Sequence, residues 1–222
     1  MYKIDTHVHT AEVSPCGVVP ARELVNMYKG IGYDAVIITD HYGDYFFHNH
    51  EKLSWNDEMD KLLMGYYMAK EEAEKVGLFV LLGIEINFVW STNDYLIYGL
   101  DEGFLKENKN LHKLELSKVQ ELIKQQGAVI YQAHPFRPGM GVVEPGLLDG
   151  IEVYNGNLRH NSRNDFAYRY AKENGLKMLS GSDFHQEEDL ARGGIITDKK
   201  ITSIEEFIDL LTTENYELIC SE

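Results

Sequence analysis

Two histidines set two residues apart are the first residues in this chain that can do chemistry. Asp5-Thr6-His7-Val8-His9 follows Met1-Tyr2-Lys3-Ile4, a short alternating apolar run that reads as a first β-strand. Residues two apart in a strand point to one face, so His7 and His9 project together with Asp5 beneath them. Paired neutral imidazoles are the beginning of a divalent-metal site. Taken alone, the pair is equally a chance feature of a strand end. Further groups that coordinate or titrate recur down the chain: Asp40 and His41, Glu85, Asp101, His134, Asp183 and His185.

These groups share a place in the pattern of elements. Residues 34–39 and 78–84 are apolar strands, ending in Asp40-His41 and Glu85. A strand over 95–99 leads to Leu100-Asp101. A strand over 127–131 ends in Gln132-Ala133-His134-Pro135. A strand over 148–154 leads into Asn155-Gly156-Asn157, and one over 176–179 leads to Ser180-Gly181-Ser182-Asp183-Phe184-His185. Helices are expected between them. One is opened by Pro20 and runs to Gly30, a long one covers 56–76, and others cover 114–126, 161–174 and 203–212. Gly175 stops the fourth. Short strands at 195–197 and 216–220 complete the chain. Strands alternating with helices predict an α/β fold of parallel units. Nearly every strand contributes chemistry at its C-terminal end, which favours a barrel mouth over the single crevice of an open sheet.

Composition narrows the function classes. The chain has 222 residues, is 44% hydrophobic and carries a formal net charge of −15, from 21 Lys+Arg against 36 Asp+Glu. That length and core suit a single domain over 1–222. The charge argues against a broad nucleic-acid surface and against binding an anionic membrane. No apolar run reaches the length of a membrane span and the N-terminus is polar, so a cytoplasmic protein is expected. Two cysteines, Cys16 and Cys220, make no disulfide framework.

Asp-x-His-x-His at 5–9, Thr39-Asp40-His41, Gly83-Ile84-Glu85, Ala133-His134-Pro135 and Gly181-Ser182-Asp183-Phe184-His185 resemble the successive motifs of the PHP (polymerase and histidinol phosphatase) superfamily. They occur in order across nearly the whole chain. The resemblance implies a distorted (β/α)7 barrel holding two or three divalent metals, usually zinc, manganese or iron, and phosphoester hydrolysis. By position, His7, His9, Glu85 and Asp183 would hold one metal, and Glu85 would bridge to a second held by His134. Asp101 lies where some members supply another ligand. His41 and His185 would hold a third. Members usually place one more ligand, Asp or His, just past the second histidine. This chain has Glu12 and Cys16 there instead, and Glu12 is preferred because a carboxylate suits a hard-metal site.

The implied chemistry is coherent. Clustered metals clamp phosphate oxygens and yield a hydroxide that attacks phosphorus in line. Asp40 is expected to hydrogen-bond a metal-bound histidine, and Asp5 either does the same or is structural. Arg137, Arg159, Arg163 and Arg192 all follow strand ends and are candidates to hold phosphate. His160 is a candidate general acid, set against the alternative of an exposed helix-start histidine. The aromatic stretch from Tyr42 to Trp55 is either a lid that stacks on a substrate ring or a loop packed over the barrel. Its His48 and His50 are read as non-ligands, and His112 as a surface residue. The expected substrate is a small phosphomonoester, histidinol phosphate, a sugar phosphate or a nucleotide. Metal-assisted hydrolysis of an amide, or a non-catalytic PHP module, are the rival readings. With no polymerase expected in the chain and a near-complete ligand set, the module reading ranks below the enzymes. The sequence leaves oligomeric state open.

Overall fold

The computed structural model describes residues 1–221. Its first strand, β1 (Tyr2–Val8), is buried from Ile4 onward. There follow α1 (Ala21–Gly30), β2 (Ala35–Ile38), β3 (His41–Tyr42), α2 (Asp44–His50), α3 (Trp55–Leu62), α4 (Met64–Val76), β4 (Phe79–Asn87) and β5 (Asp94–Tyr98). The second half runs α5 (Glu102–Glu107), α6 (Leu116–Lys124), β6 (Val129–Gln132), β7 (Gly150–Asn155), α7 (Asn164–Asn174), β8 (Lys177–Gly181), β9 (Gly193–Thr197), α8 (Ile204–Thr213) and β10 (Glu217–Cys220).

All the strands join one sheet, in the order β10-β9-β1-β2-β4-β5-β6-β7-β8, with β3 alongside β4. The path β1-β2-β4-β5-β6-β7-β8 curls into a ring. It closes where Val8 bridges Phe184 in parallel: Phe184 N–H donates to the His7 carbonyl (3.1 Å), and His9 N–H to that of Phe184 (3.0 Å). This is the distorted, TIM-like α/β barrel that the sequence predicts. The distortion has a named source. β5 runs antiparallel to both β4 and β6, whereas β1/β2, β2/β4, β6/β7 and β7/β8 are parallel. The β4–β5 connection is too short for a helical crossover, so β5 returns as a hairpin partner.

β2 shows why the strands are apolar throughout. Ala35 and Ile37 enter the barrel interior with Ile4, Leu96, Tyr98 and Leu179. Val36 and Ile38 face the opposite way, against Leu24, Tyr28 and Ala69 of α1 and α4. Alternate side chains are buried on both faces, so no polar alternation appears. Phe207, Leu210 and Leu211 of α8 join the interior cluster.

Close approaches hold the seam between β1, β8 and β9. A Cβ on Gly193 would lie 2.1 Å from the Gly181 carbonyl oxygen, and one on Gly181 2.5 Å from His7 Cβ. Only glycine lets these backbones meet.

Three local expectations need correction. The long helix over 56–76 is two helices, broken at Leu63, with Ser54 capping the first through the Asp57 N–H (3.3 Å). The aromatic stretch packs over the barrel, the second of its two readings, but as a helix and not a loop: it holds α2, and Phe46 and Phe47 join the core. His112 is fully buried, stacked on Phe47 at 4.4 Å and edge-on to Tyr42, and neither ring nitrogen has a hydrogen-bond partner among the described residues.

Burial pushes the His112 imidazole down to about 4. The folded state therefore holds it neutral while the unfolded chain, titrating near 6.5, takes up a proton first. Stability present above pH 6.5 is lost as the pH falls toward 4, on the order of 3 kcal/mol for this residue. Denaturant melts from pH 7 to 4 should show a shallower acid loss for His112→Phe than for the natural chain. Parallel curves would remove His112 as the cause.

Candidate metal centre

The ring gathers the C-terminal ends of its parallel strands at one mouth, and because β5 is reversed it presents its N-terminal end there. Glu85, near the end of β4, lies at the centre and is 1% exposed. Its Oε1 is 3.2 Å from His7 Nε2 and 3.2 Å from His134 Nε2. Its Oε2 is 2.8 Å from His41 Nδ1 and 3.5 Å from His9 Nε2. Asp183 Oδ1 approaches the Nε2 atoms of His7 and His9, each at 3.4 Å. The groups resolve into three overlapping sets whose donor atoms lie within 4.8 Å of one another. They are His7, His9 and Glu85; Glu85, Asp94 and His134; and His9, His41 and His185.

Three of the rings are held by the nitrogen that faces away from the centre. His7 Nδ1 donates to Glu152 Oε1 at 2.9 Å, His9 Nδ1 to Ser14 Oγ at 3.1 Å, and His185 Nδ1 to the Asp183 carbonyl at 2.8 Å. A ring that donates from Nδ1 turns a lone pair inward on Nε2. For His7 and His9 that Nε2 atom is buried without a hydrogen-bond partner among the described residues. Buried, unsatisfied imidazole nitrogens beside carboxylate oxygens are costly unless a cation joins them. The donor set, imidazoles and carboxylates with one thiol at the edge, is what divalent zinc, manganese or iron takes. The residues present fit such ions.

The electrostatics agree. Burial opposes charging His7, but Glu152, Asp183 and Glu85 outweigh it and hold the imidazole well above its ordinary range. His41 is raised likewise, chiefly by Glu85. His9 moves the other way, pushed well down by burial and by the charges of His185 and His41. Despite burial, Glu85 is held well below the usual carboxylate range by His7 and His41, and Asp183 by the charge of His7 and the nearness of His9. The cluster calls for positive charge at its centre.

Comparison with known proteins identifies this arrangement. The PHP domain family model matches residues 5–164. The chain belongs to the PHP domain family. A second model, described as PHP-associated, matches residues 161–215 of this PHP chain. No curated protein matches it significantly. Among solved structures it is similar to a two-domain protein from Bacteroides vulgatus containing a predicted PHP-like metal-dependent phosphoesterase, at 21% identity and a TM-score of 0.70. That match covers 99% of this chain and 65% of the other. An amidohydrolase from Chromobacterium violaceum is 15% identical with a TM-score of 0.58, covering 94% of this chain and 96% of the other. A lesion-specific endonuclease from Pyrococcus furiosus is 16% identical with a TM-score of 0.59, covering 98% of this chain and 57% of the other. At these identities the likeness is one of fold.

His7, His9, His41, Glu85, His134, Asp183 and His185 all come together at the mouth of the PHP chain. Two other proposed ligands do not. Asp101 follows a strand that runs the wrong way, so it lies at the far end of the barrel and caps α5 through the Phe104 N–H (2.7 Å). Asp94, at the start of the same strand, takes its place: its Oδ2 is 4.0 Å from His134 Nε2. Glu12 accepts from the Ala21 N–H through both oxygens, 3.1 and 3.0 Å. α1 begins after Pro20, which has no side-chain cap of its own, and Glu12 serves instead. Cys16 occupies the position in question, with Sγ 3.2 Å from His41 Nε2 and 3.0 Å from His185 Nε2.

Asp40 does not face the centre. It accepts from Thr10 N–H (2.8 Å), Thr10 Oγ1 (2.7 Å) and Ser14 Oγ (2.7 Å), and reaches His9 only through that serine. Asp5 is structural, accepting from Tyr28 (2.8 Å) and from the Ser182 N–H (3.1 Å). Arg137 donates to Asp183 Oδ2 at 2.8 Å and turns Oδ1 toward the histidines. Arg159 pairs with buried Asp189 at 2.8 Å, whose Oδ2 also accepts from the His185 N–H (3.0 Å). Arg192 donates to the Gly156 carbonyl at 3.2 Å, and Arg163 is exposed at the start of α7. His160 is exposed, and partial burial with Arg137 nearby lowers its imidazole.

Glu152 was missed by sequence reading. It is fully buried and accepts from His7 Nδ1, the His134 N–H and Asn155 Nδ2, each at 2.9 Å. The signal was present: a carboxylate set between the apolar Ile151 and Val153 within the strand 148–154.

Asp94→Ala should lower the number of divalent ions bound per chain, read by elemental mass spectrometry. Asp101→Ala should leave that number unchanged while costing about 1 kcal/mol of stability from the lost cap. The reverse result would return Asp101 to the site.

Proposed function

We propose that the chain, acting as one unit over residues 1–222, is a metal-dependent hydrolase of a small phosphomonoester. The observation that carries this reading is the convergence of four imidazoles on one buried carboxylate, with His7 and His9 Nε2 unpartnered beside it. His7, His9, Glu85 and Asp183 would hold one divalent ion, Glu85, Asp94 and His134 a second, and His41, His185 and Cys16 a third. Such ions, when bound, supply Lewis acidity that activates water and neutralises phosphate oxygens.

The chain's own residues prepare that chemistry. Glu152 and Ser14 fix the tautomers of His7 and His9. Arg137 orients Asp183, and Arg159 anchors the loop that carries His185. Both guanidiniums also bring positive charge to the side of the mouth where His160 stands.

The amide alternative draws only on the fold shared with the Chromobacterium violaceum amidohydrolase. The fold shared with the Pyrococcus furiosus endonuclease raises a DNA substrate, but a net charge of −15 opposes a phosphate-backbone track. No described helix is long and apolar enough to cross a membrane.

The test is metal content together with hydrolysis of p-nitrophenyl phosphate, bis(p-nitrophenyl) phosphate and p-nitroacetanilide under manganese or zinc. Preference for the monoester supports the reading, and preference for the anilide overturns it. Asp183→Ala should abolish monoester turnover and reduce bound metal. Cys16→Ser should shift the retained metal from zinc toward manganese when both compete, since an alcohol is a harder ligand than a thiolate.

A further inference from the structure

One cavity opens directly beside the His41–Cys16 corner of the cluster. Its volume is about 330 Å³, at the small end of small-molecule sites. Pro15, Tyr45 and Phe46 wall it, Gly43 leaves its side open, and Cys16 and His41 form its inner end. Phe46 is 4% exposed and rooted in the core, whereas Tyr45 is 67% exposed and stands at the rim. Asn87 completes the lining and is fixed from behind, donating to Asp94 Oδ1 and to the Asn93 carbonyl, each at 3.0 Å.

Two features define an occupant. The lining is largely apolar, with two aromatic rings and a proline. Among the described residues no lysine or arginine contributes to it; besides Cys16, His41 and the Tyr45 phenol, its one ionisable group is the Asp44 carboxylate. The arginines that reach the mouth, Arg137 and Arg159, pair with Asp183 and Asp189 instead. An anionic group on the outer, Asp44 side of the cavity would meet a like charge with no lysine or arginine beside it, away from the cluster at the inner end.

We propose that this cavity seats the alcohol half of the substrate, and that this alcohol is an aromatic group carrying no negative charge. The proposal rests on the phosphoesterase reading and narrows it. A group in the cavity lies against His41 and Cys16, so the bond to phosphorus falls at the cluster. Tyr45 and Phe46 supply ring faces for stacking, and Asp44 excludes acidic alcohols. Sugar acids and nucleotides with further phosphates are poor fits. An aryl or heteroaryl monoester is a good one.

Calorimetry on the manganese-loaded full chain tests this without turnover. The probes are 1-naphthylmethylphosphonate, methylphosphonate and 1-naphthol. The naphthyl phosphonate should bind at least about tenfold more tightly than methylphosphonate, from apolar burial alone. Tyr45→Ala should erase most of that advantage and leave methylphosphonate affinity unchanged. Asp44→Lys should admit a carboxylated naphthyl phosphonate that the natural chain rejects. Equal affinity for the two uncharged-ring and methyl probes, or an advantage that survives Tyr45→Ala, overturns the pocket. 1-Naphthol separates the two readings. If it binds and is displaced by the naphthyl phosphonate while no phosphomonoester is hydrolysed, the pocket stands and the phosphoesterase reading falls. If it fails to bind while p-nitrophenyl phosphate turns over, the phosphoesterase stands and the pocket falls.

Discussion

A carboxylate sealed from water among four imidazoles is the constraint from which the rest of this structure follows. Glu85 cannot be buried as an anion without compensating charge close to both oxygens. His7 and His9 at the end of β1, His41 in β3 and His134 just past β6 supply that surrounding. Each ring must present a nitrogen to the centre, so its other nitrogen needs a partner behind it. Glu152 and Ser14 are that outer layer for His7 and His9, and the Asp183 carbonyl holds His185 in the same way. Asp40 stands one step further out and fixes Ser14. The network is layered because a mobile imidazole beside a buried carboxylate would defeat the purpose of burying it.

Ring closure is the structural condition for this convergence. His7 and His9 sit on the first strand, Asp183 and His185 just past the eighth, 174 or more residues away in sequence. The Val8–Phe184 bridge and the hydrogen bonds flanking it place both pairs at one level of the mouth. Asp5 reinforces the seam by tying Tyr28 of α1 to the Ser182 N–H. Burial without a cationic partner raises the Asp5 carboxyl to about 6, a cost the seam accepts for a fixed geometry. Gly181 belongs to the same economy of space, since any side chain there would displace His7 from Glu152.

Much of this was legible in sequence, for a physical reason. Side chains alternate along a strand, and parallel strands deliver their C-terminal ends to one face, so polar residues closing apolar runs mark a mouth without any coordinates. The misreadings arise where the rule needs information that local pattern lacks. Strand direction is one: β5 has the same apolar pattern either way round, and its reversal exchanges Asp101 for Asp94. Loop conformation is another: Glu12 and Cys16 are both plausible donors by type, and only the need of α1 for a cap decides between them. His112 was read as surface because it lies in an irregular polar stretch, yet Phe47 and Tyr42 of the aromatic segment fold over it. Glu152 was overlooked inside an apolar strand, where a carboxylate survives only if something beyond its own strand pairs with it.

The arginines carry the last step. Sequence position made them candidate phosphate ligands, yet Arg137 and Arg159 are engaged with Asp183 and Asp189. Their pairing does not leave the mouth neutral. Each turns a carboxylate that would repel a phosphate into one whose charge is shared, and each fixes a neighbouring histidine in the process. In a chain of net charge −15, attraction for a phosphate therefore has to arise at the centre of the cluster, where the carboxylates and imidazoles are arranged to receive cations. On the proposed phosphoesterase reading, anion affinity and cation occupancy become one property of the site: whatever empties the cluster of positive charge also removes its hold on a phosphate.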